Sequence, residues 1–244
     1  MALRDEFEAS GGWLFRRRSW LPVLVLLLVL LALRSGQAAG TPPAGWQWEV
    51  LCLGVGLLGV AIRCVAVGFA ARGTSGRSTR SPRADSLNTT GMYSIVRHPL
   101  YLGNYFMWLG PAMLPQSWSL AVIVTCIFWM YYERIMFAEE AFLRRTFGDV
   151  FETWAARTPA VIPDVRLWSS PVRGFSAATV MRREVWGLIG LVTAIAVLDI
   201  ASQAALPGPF DLDSAWAGIA VPALVGGGIL HLVKRLRRMA TRHR

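Results

Sequence analysis

The chain has 244 residues, of which 54% are hydrophobic and 16% are charged, and its formal net charge at pH 7 is +10. This balance excludes an ordinary soluble domain and is typical of an integral membrane protein. A basic chain can bind nucleic acid or anionic lipid, and the positions of its arginines decide between the two.

Long apolar runs are the main structural signal. Six of them lie at about 20–33, 50–71, 99–114, 117–132, 185–203 and 215–233. A complete membrane span needs about 20 residues, so the first, third and fourth runs are short. The sequence predicts an all-α, polytopic membrane helix bundle of about six transmembrane helices. Only Pro115-Gln116-Ser117 separates the third run from the fourth, which predicts a helical hairpin.

Arginines alternate between rich and poor connections. They are frequent before residue 19, in 72–98, in 133–184 and after 233, and rare or absent in 34–49, 115–117 and 204–214. The positive-inside rule therefore predicts that both termini and the two central basic segments are cytoplasmic. We expect these arginines to set the topology and to bind anionic headgroups rather than nucleic acid. Arginine is common and lysine rare, which suggests a bacterial inner membrane.

Two features inside the apolar pattern need separate interpretation. Gly54-Val55-Gly56-Leu57-Leu58-Gly59 matches the dinucleotide-binding pattern GxGxxG, but it lies in an apolar run without a preceding strand, so we interpret it as helix packing. Arg63 lies in the middle of the same run, where a charge is costly and usually functional. Its alternative role is structural, through an ion pair with Glu133 or Glu184.

A polar cluster precedes the third run. Pro99 suits the first turn of a helix, and Arg97 and His98 add positive charge to the free N–H groups of the helix start. Tyr101 follows His98 by one turn, and Gly103 permits a close backbone approach. The cluster predicts an anion-binding mouth at the bilayer surface. An ordinary arginine and aromatic membrane anchor is the alternative.

Charges and aromatics also alternate with apolar residues over 134–155. This pattern predicts an amphipathic helix on the cytoplasmic membrane surface, broken near Gly148. Pro159 and Pro163 lie where the helix is expected to have ended.

The segment Leu87–Gly103 has the form LxxxGxYxxxRHPxYxG, and Glu139-Glu140, Gly148, Arg157, Pro159 and Pro163 follow it in order. This pattern, over about 85–163, resembles the isoprenylcysteine carboxyl methyltransferases and their bacterial phospholipid-methyltransferase-like relatives. The resemblance implies S-adenosylmethionine as methyl donor and a lipid acceptor that enters from the bilayer.

The resemblance also implies a set of donor contacts. These are Asp85, Ser86, Leu87, Asn88, Tyr93, His98, Pro99, Leu100, Tyr101, Gly103, Glu139 and Glu140. Three departures from the family pattern accompany them. Asp85 stands where the eukaryotic enzymes tend to have histidine, Phe151 and Trp154 replace tyrosines, and Arg134 is one residue away from a substrate-contacting arginine.

The acceptor is predicted from charge. An anionic oxygen needs no general base, only cations that orient it, and guanidinium groups suit phosphate and carboxylate. We assign Arg97 and Arg134 as catalytic and Arg63, Arg80 and Arg157 as substrate-binding, with no metal site. A lipid phosphate, of the lipid A or phospholipid type, is the favoured acceptor. The alternatives are an aminophospholipid N-methyltransferase and a non-enzymatic transporter or assembly protein.

The predicted organisation has four segments. Residues 1–71 form two N-terminal helices, 72–163 the methyltransferase core, 164–184 a cytoplasmic linker, and 185–244 two C-terminal helices with a basic tail.

Overall fold

A computed structural model of the chain describes residues 3–18, 20–38, 45–71, 86–203 and 218. Within these residues every regular element is helical, which confirms the predicted all-α class. The helices are α1 (Leu3–Arg17), α2 (Leu21–Ala38), α3 (Trp46–Phe69), α4 (Met92–Ile95), α5 (Pro99–Met113), α6 (Trp118–Phe147), α7 (Asp149–Arg157), α8 (Ala177–Arg183) and α9 (Val185–Gln203), with a 3₁₀ turn at Val165–Leu167 between α7 and α8.

The predicted number of six spans is not confirmed. In the described part of the chain only α3, α6 and α9 are individually long and apolar enough to cross a membrane. Helices α1 and α2 pass the same test only as a pair, and they are bent by 77°. Helix α5, predicted as the third span, has 15 residues and is shorter than a bilayer requires. The last predicted span, 215–233, lies outside the described residues apart from Gly218.

Helix α6 differs most from the prediction. The fourth span and the interfacial helix were expected as separate elements, but a single helix of 30 residues runs from Trp118 to Phe147. At 1.5 Å per residue it is about 45 Å long, which exceeds a hydrocarbon core of about 30 Å. Its charged C-terminal half therefore continues the span instead of lying as a separate helix. The predicted break at Gly148 is confirmed, and this glycine has a φ of +52°.

Helices α3 and α5 pack closely through glycines. A Cβ atom on Gly59 would overlap the carbonyl oxygen of Gly103, and one on Gly110 would lie 2.5 Å from the carbonyl oxygen of Cys52. The indole of Trp48 donates to the carbonyl oxygen of Met113 at 3.0 Å and joins the other ends of the same two helices. The packing interpretation of the GxGxxG pattern is therefore confirmed for Gly59.

The remaining helices surround this pair. Helix α1 packs along α6, where the hydroxyl of Tyr131 donates to the carbonyl oxygen of Leu14 at 2.8 Å. Helices α2 and α9 pack against each other and against α5. One apolar core joins α2, α3, α5, α6 and α9, and its buried members are Val25, Val29, Cys52, Val60, Ala112, Leu114, Leu120, Val124, Leu191, Ile195 and Leu198.

We predict that Gly59→Ala lowers the free energy of unfolding by about 1–3 kcal/mol, because its methyl group overlaps the backbone of α5. Gly54→Ala is the matched control, since it lies in the same helix and a Cβ there meets no atom within 4 Å. Denaturant unfolding in detergent, followed by tryptophan fluorescence, measures both variants. Equal stability of the two would contradict the packing interpretation.

Candidate active site

The loop before α5 is held by backbone hydrogen bonds to the segment after α7. The Arg97 amide donates to the carbonyl oxygen of Pro159 at 2.8 Å, and the Asp164 amide donates to that of Ile95 at 3.0 Å. Gly91 donates to the carbonyl oxygen of Ser169 at 2.9 Å and has a φ of +60° with a ψ of −133°, a conformation that other residues rarely adopt. This explains the glycine of the sequence motif. The segment after α7, which contains Pro159, therefore holds the loop before α5 in position.

His98 precedes the first residue of α5, and its side chain is turned towards α6. The imidazole is buried, and its Nε2 lies 2.9 Å from Oε1 of Glu140. Nε of Arg97 lies 3.0 Å from the same oxygen, without the angle of a hydrogen bond. Nη1 of Arg97 donates to the carbonyl oxygen of Ala155 at 2.8 Å. Glu140 therefore joins both residues of the Arg-His pair to α6.

Glu139 accepts a different bond from α5. The hydroxyl of Tyr101 donates to its Oε2 at 2.9 Å, and Nδ1 of His98 lies 3.7 Å from that oxygen. The rings of His98 and Tyr101 are stacked, with centroids 5.6 Å apart. Tyr101 and His98 thus contact Glu139 and Glu140, respectively, so the first turn of α5 and the acidic turn of α6 form one polar unit.

A second polar group lies deeper, around Arg63 of α3. Its Nε lies 2.6 Å and its Nη2 3.0 Å from the two carboxylate oxygens of Glu184, and its Nη1 lies 2.7 Å from Oδ1 of Asn104. Asn104 in turn donates to the hydroxyl of Tyr132 at 3.2 Å. The Glu184 side chain is only 4% exposed. The predicted pairing of Arg63 with Glu184 is confirmed, and Glu133 is exposed elsewhere on α6.

The two aromatic replacements have defined roles in packing. The indole of Trp154 donates to the carbonyl oxygen of Tyr93 at 3.1 Å, and the Phe151 ring is fully buried. Burial, together with the charge of Glu139, raises the pKa of the Tyr93 hydroxyl, so it stays protonated at neutral pH. Trp154 therefore fixes α7 against the loop that carries Tyr93.

One cavity of about 620 Å³ connects these groups. Its polar end is lined by residues of the loop, α5, α6 and α7, namely Ser86, Leu87, Asn88, Tyr93, Arg97, His98, Pro99, Leu100, Tyr101, Glu139, Glu140, Phe151 and Trp154. Its other end is lined mainly by apolar residues of α2, α5 and α9, and Arg63 also lines it. A volume of this size lies within the range of small-molecule sites.

The amino-acid sequence was compared with known protein families and with curated proteins. Residues 50–150 match the phospholipid methyltransferase family. The chain is 32% identical over 178 residues to the nickel-cobalt-cadmium resistance protein NccN of Alcaligenes xylosoxydans, covering 70% of this chain and 77% of that protein. It is 36% identical over 78 residues to the protein-S-isoprenylcysteine O-methyltransferase of Schizosaccharomyces pombe, covering 32% of this chain and 33% of that protein.

This chain belongs to the family of membrane methyltransferases that includes the phospholipid and isoprenylcysteine enzymes. The resemblance read from the RHP motif is confirmed, and the alternative of a non-enzymatic transporter or assembly protein is wrong. A further relative, the cobalt-zinc-cadmium resistance protein CzcN of Cupriavidus metallidurans, is 31% identical over 173 residues, or 71% of this chain and 74% of that protein. No solved structure gives a significant match.

Most of the predicted donor contacts of this methyltransferase line the cavity, but Gly103 does not. Its missing side chain lets Arg63 and the backbone of α3 approach, so its function is helix packing. Asp85 lies outside the described residues, as does Arg80.

The predicted catalytic residue Arg134 and the predicted substrate-binding residue Arg157 also lie away from the cavity. Arg134 is not part of its lining, and its guanidinium lies over the ring of Phe7, 5.2 Å from the centroid. Helix α1 packs against α6 at that point and carries Phe7. Arg157 is exposed in the last turn of α7 and is absent from the lining. The geometry therefore supports neither assignment.

Sequence reasoning missed several lining residues. Asn104 and Tyr132 belong to no recognised sequence motif. The position of Asn104, one turn beyond Leu100 and on the same face of α5, is the signal that could have identified it. Arg18 and Arg183 line the cavity from the ends of the first basic segment and of α8. In the sequence both residues belong to arginine-rich segments that the membrane topology explains. Only the folded structure distinguishes these two arginines, which line the cavity, from their neighbours.

We predict that Glu140→Ala lowers the free energy of unfolding by about 2 kcal/mol, because it removes the anion that His98 and Arg97 share. Glu152→Ala is the control, since it removes an exposed partner of Arg144 and is expected to cost less than about 1 kcal/mol. Thermal unfolding in detergent compares them. A cost for Glu140→Ala no larger than that of the control would contradict a joint role in holding the loop.

Proposed function

We propose that this methyltransferase transfers a methyl group from S-adenosylmethionine to an acidic oxygen of a lipid, by direct in-line displacement. The favoured acceptor is a lipid phosphate of the lipid A or phospholipid type. The supporting observation is that a single cavity joins a polar end, with carboxylates and aromatic rings, to an apolar end formed by membrane helices. A water-soluble donor and a lipid can meet there from different solvents. The arginine distribution supports a site on the cytoplasmic side of a bacterial inner membrane.

The polar end suits the donor chemically. Glu139 and Glu140 offer carboxylate oxygens to N–H and O–H groups, and Tyr93 and Tyr101 offer ring faces to a cation. Arg97 also lines this end, where its Nε lies 3.0 Å from Oε1 of Glu140 and its Nη1 donates to the carbonyl oxygen of Ala155, so its charge is held beside the proposed donor site. S-adenosylmethionine supplies a methyl group on a positively charged sulfur, and the bond electrons return to that sulfur as the acceptor oxygen forms the new C–O bond. The residues here hold both partners in line and exclude water.

Arg63 supports an anionic acceptor. Arg63 lines the cavity, and Glu184 and Asn104 hold its guanidinium in place. A phosphate or carboxylate is already deprotonated at neutral pH, so it needs orientation by a cation and no general base. In this proposal Arg97 contributes to the donor side and Arg63 to the acceptor side. Arg134 has no part in either.

A second candidate is N-methylation of an aminophospholipid. The match to the phospholipid methyltransferase family favours it. An amine must lose a proton before it can attack, which requires a base near the acceptor. Of the two carboxylates of the polar end, Glu139 is the one that is not shared between Arg97 and His98, and it is the candidate base.

The bacterial relatives add a physiological setting. NccN and CzcN are named for resistance to nickel, cobalt, zinc and cadmium. A methyl ester on a phosphate monoester removes one negative charge and weakens an oxygen ligand for divalent cations. We propose that methylation by this protein lowers the affinity of acidic lipids for such cations. Vesicles of the methylated lipid should then bind less Cd²⁺ than vesicles of the same lipid before the reaction.

The direct test uses purified protein, donor radiolabelled in the methyl group, and a total bacterial lipid extract. We expect label in one lipid class, and mass spectrometry of that lipid should place the methyl group on a phosphate or carboxylate oxygen. A labelled methyl group on an amine nitrogen would favour the second candidate. Absence of labelled lipid, together with absence of donor binding, would contradict both.

We predict that Glu139→Gln weakens donor binding at least about tenfold, because a hydrogen bond to a charged group contributes about 1.5–3 kcal/mol. Glu133→Gln removes the same charge from an exposed position of the same helix and should leave binding unchanged. Isothermal titration with S-adenosylmethionine measures both. Normal binding by Glu139→Gln would remove Glu139 from the donor site.

We predict that Arg63→Lys raises the KM for the lipid acceptor about tenfold while donor affinity changes less than about twofold, because lysine keeps the charge but loses the planar fork. Arg134→Lys is the control and should change neither value. If Arg63 serves only to hold Glu184, lysine keeps that ion pair and the acceptor KM will not change.

A further inference from the structure

We propose that the apolar end of the cavity holds a hydrocarbon chain of the acceptor lipid, and that Gly190 of α9 limits the length of chain that fits. This inference rests on the proposed lipid methyltransferase function and adds a position that selects among acceptors. Arg63, next to Glu184 at the start of α9, would mark the headgroup end of the chain.

Two helices each present one face to this part of the cavity. From α9, Gly187, Gly190, Leu191 and Ala194 line it with the i, i+3, i+4, i+7 spacing of one helix side, and Trp186 lines it beside them. From α2, Pro22, Val25, Leu26 and Val29 line it with the same spacing, together with Val23. Met107 and Pro111 of α5 complete the wall. The surface available to an occupant here is apolar.

The direction of the chain follows from the order along α9. A Cβ atom on Gly187 would lie 3.9 Å from Oε2 of Glu184, so Gly187 adjoins the Arg63–Glu184 ion pair. Gly190 lies about 4.5 Å further along the helix and Ala194 about 6 Å beyond that, at 1.5 Å per residue. A headgroup at Arg63 therefore places its hydrocarbon beside Gly187 first, then Gly190, then Ala194.

Gly190 is the position at which a side chain would compete with the lipid. It lines the cavity, its φ is not positive, and a Cβ atom built on it meets no atom within 4 Å. Neither backbone conformation nor helix contact requires glycine there, in contrast to Gly59 against α5. A Cβ atom has room at this exposed position of α9, so a leucine variant is expected to fold, and its side chain is expected to take space that the cavity would otherwise leave to a lipid.

The walls of this end come largely from outside the family segment. The family match covers residues 50–150, whereas α2 and α9 lie before and after it. The polar end is built almost entirely from residues inside that segment. In this proposal, donor binding depends on the family segment, and selection of the hydrocarbon depends on helices that lie outside it.

The test compares Gly190→Leu with Gly54→Leu. Both replace a glycine inside an apolar helix with a residue of higher helix propensity, and a Cβ atom at either position meets nothing within 4 Å, but Gly54 does not line the cavity. Each protein is incubated with radiolabelled donor and a total bacterial lipid extract. The labelled lipid class is then supplied as its dihexanoyl and dipalmitoyl homologues, and kcat/KM is measured for each.

We expect Gly190→Leu to lower kcat/KM for the dipalmitoyl form at least about tenfold relative to the dihexanoyl form, the scale on which an apolar pocket discriminates by size. Gly54→Leu should keep the ratio of the unaltered protein. Ala194→Leu, one turn deeper, should have a smaller effect in the same direction. Donor affinity should not change in any variant.

Three results would overturn the inference. An unchanged ratio in Gly190→Leu would show that no acceptor chain passes this residue. A uniform loss for both homologues with a lowered melting temperature would show that another part of the chain fills the space. If the unaltered protein labels no lipid, the proposed function fails, and this result is distinct from the other two because it appears before any variant is tested.

Discussion

The close packing of α3 on α5 is the contact on which the site depends. Gly59 and Gly103 let the two backbones meet, and the same approach brings Arg63 of α3 to Leu100 and Asn104 of α5. With α5 held there, its first turn faces the acidic turn of α6. A larger residue at this contact would separate α3 from α5, and it would therefore move Arg63, which α3 carries, relative to the polar end, which begins at the first turn of α5.

Charged groups inside the membrane region are held in shared networks. Glu184 is almost fully buried and receives two guanidinium nitrogens, and Arg63 also contacts an amide oxygen. Such an arrangement is expected where solvent cannot compensate a charge, because an unpaired ion in a low-dielectric interior is very costly. The network joins α3, α5, α6 and the start of α9 through Tyr132 and Glu184. It therefore stabilises four of the elements that line the cavity, and it places a cation beside the path of the proposed acceptor.

The functional division of the cavity follows its construction. Residues that bind polar groups come from a loop and helix ends, where free N–H groups and charged side chains can be accommodated. Residues of the other end come from the apolar faces of long helices. Backbone hydrogen bonds to the segment around Pro159 and Ser169 hold the loop of the polar end, and these bonds do not involve the helices of the apolar end.

The sequence by itself determined the helical class, the membrane character, the family and most of the polar lining, because these follow from composition, apolar run length and a compact motif between Leu87 and Gly103. It also predicted the break at Gly148 and a possible partner of Arg63. Local patterns could not reveal that α6 is continuous, that Gly103 serves packing, or that Arg134 faces Phe7, since each depends on which helix lies alongside. Only the tertiary structure selected Arg63 and Arg97 among many arginines, and only it placed Gly190 in the cavity wall, because a side chain's environment is set by neighbours that are distant in sequence.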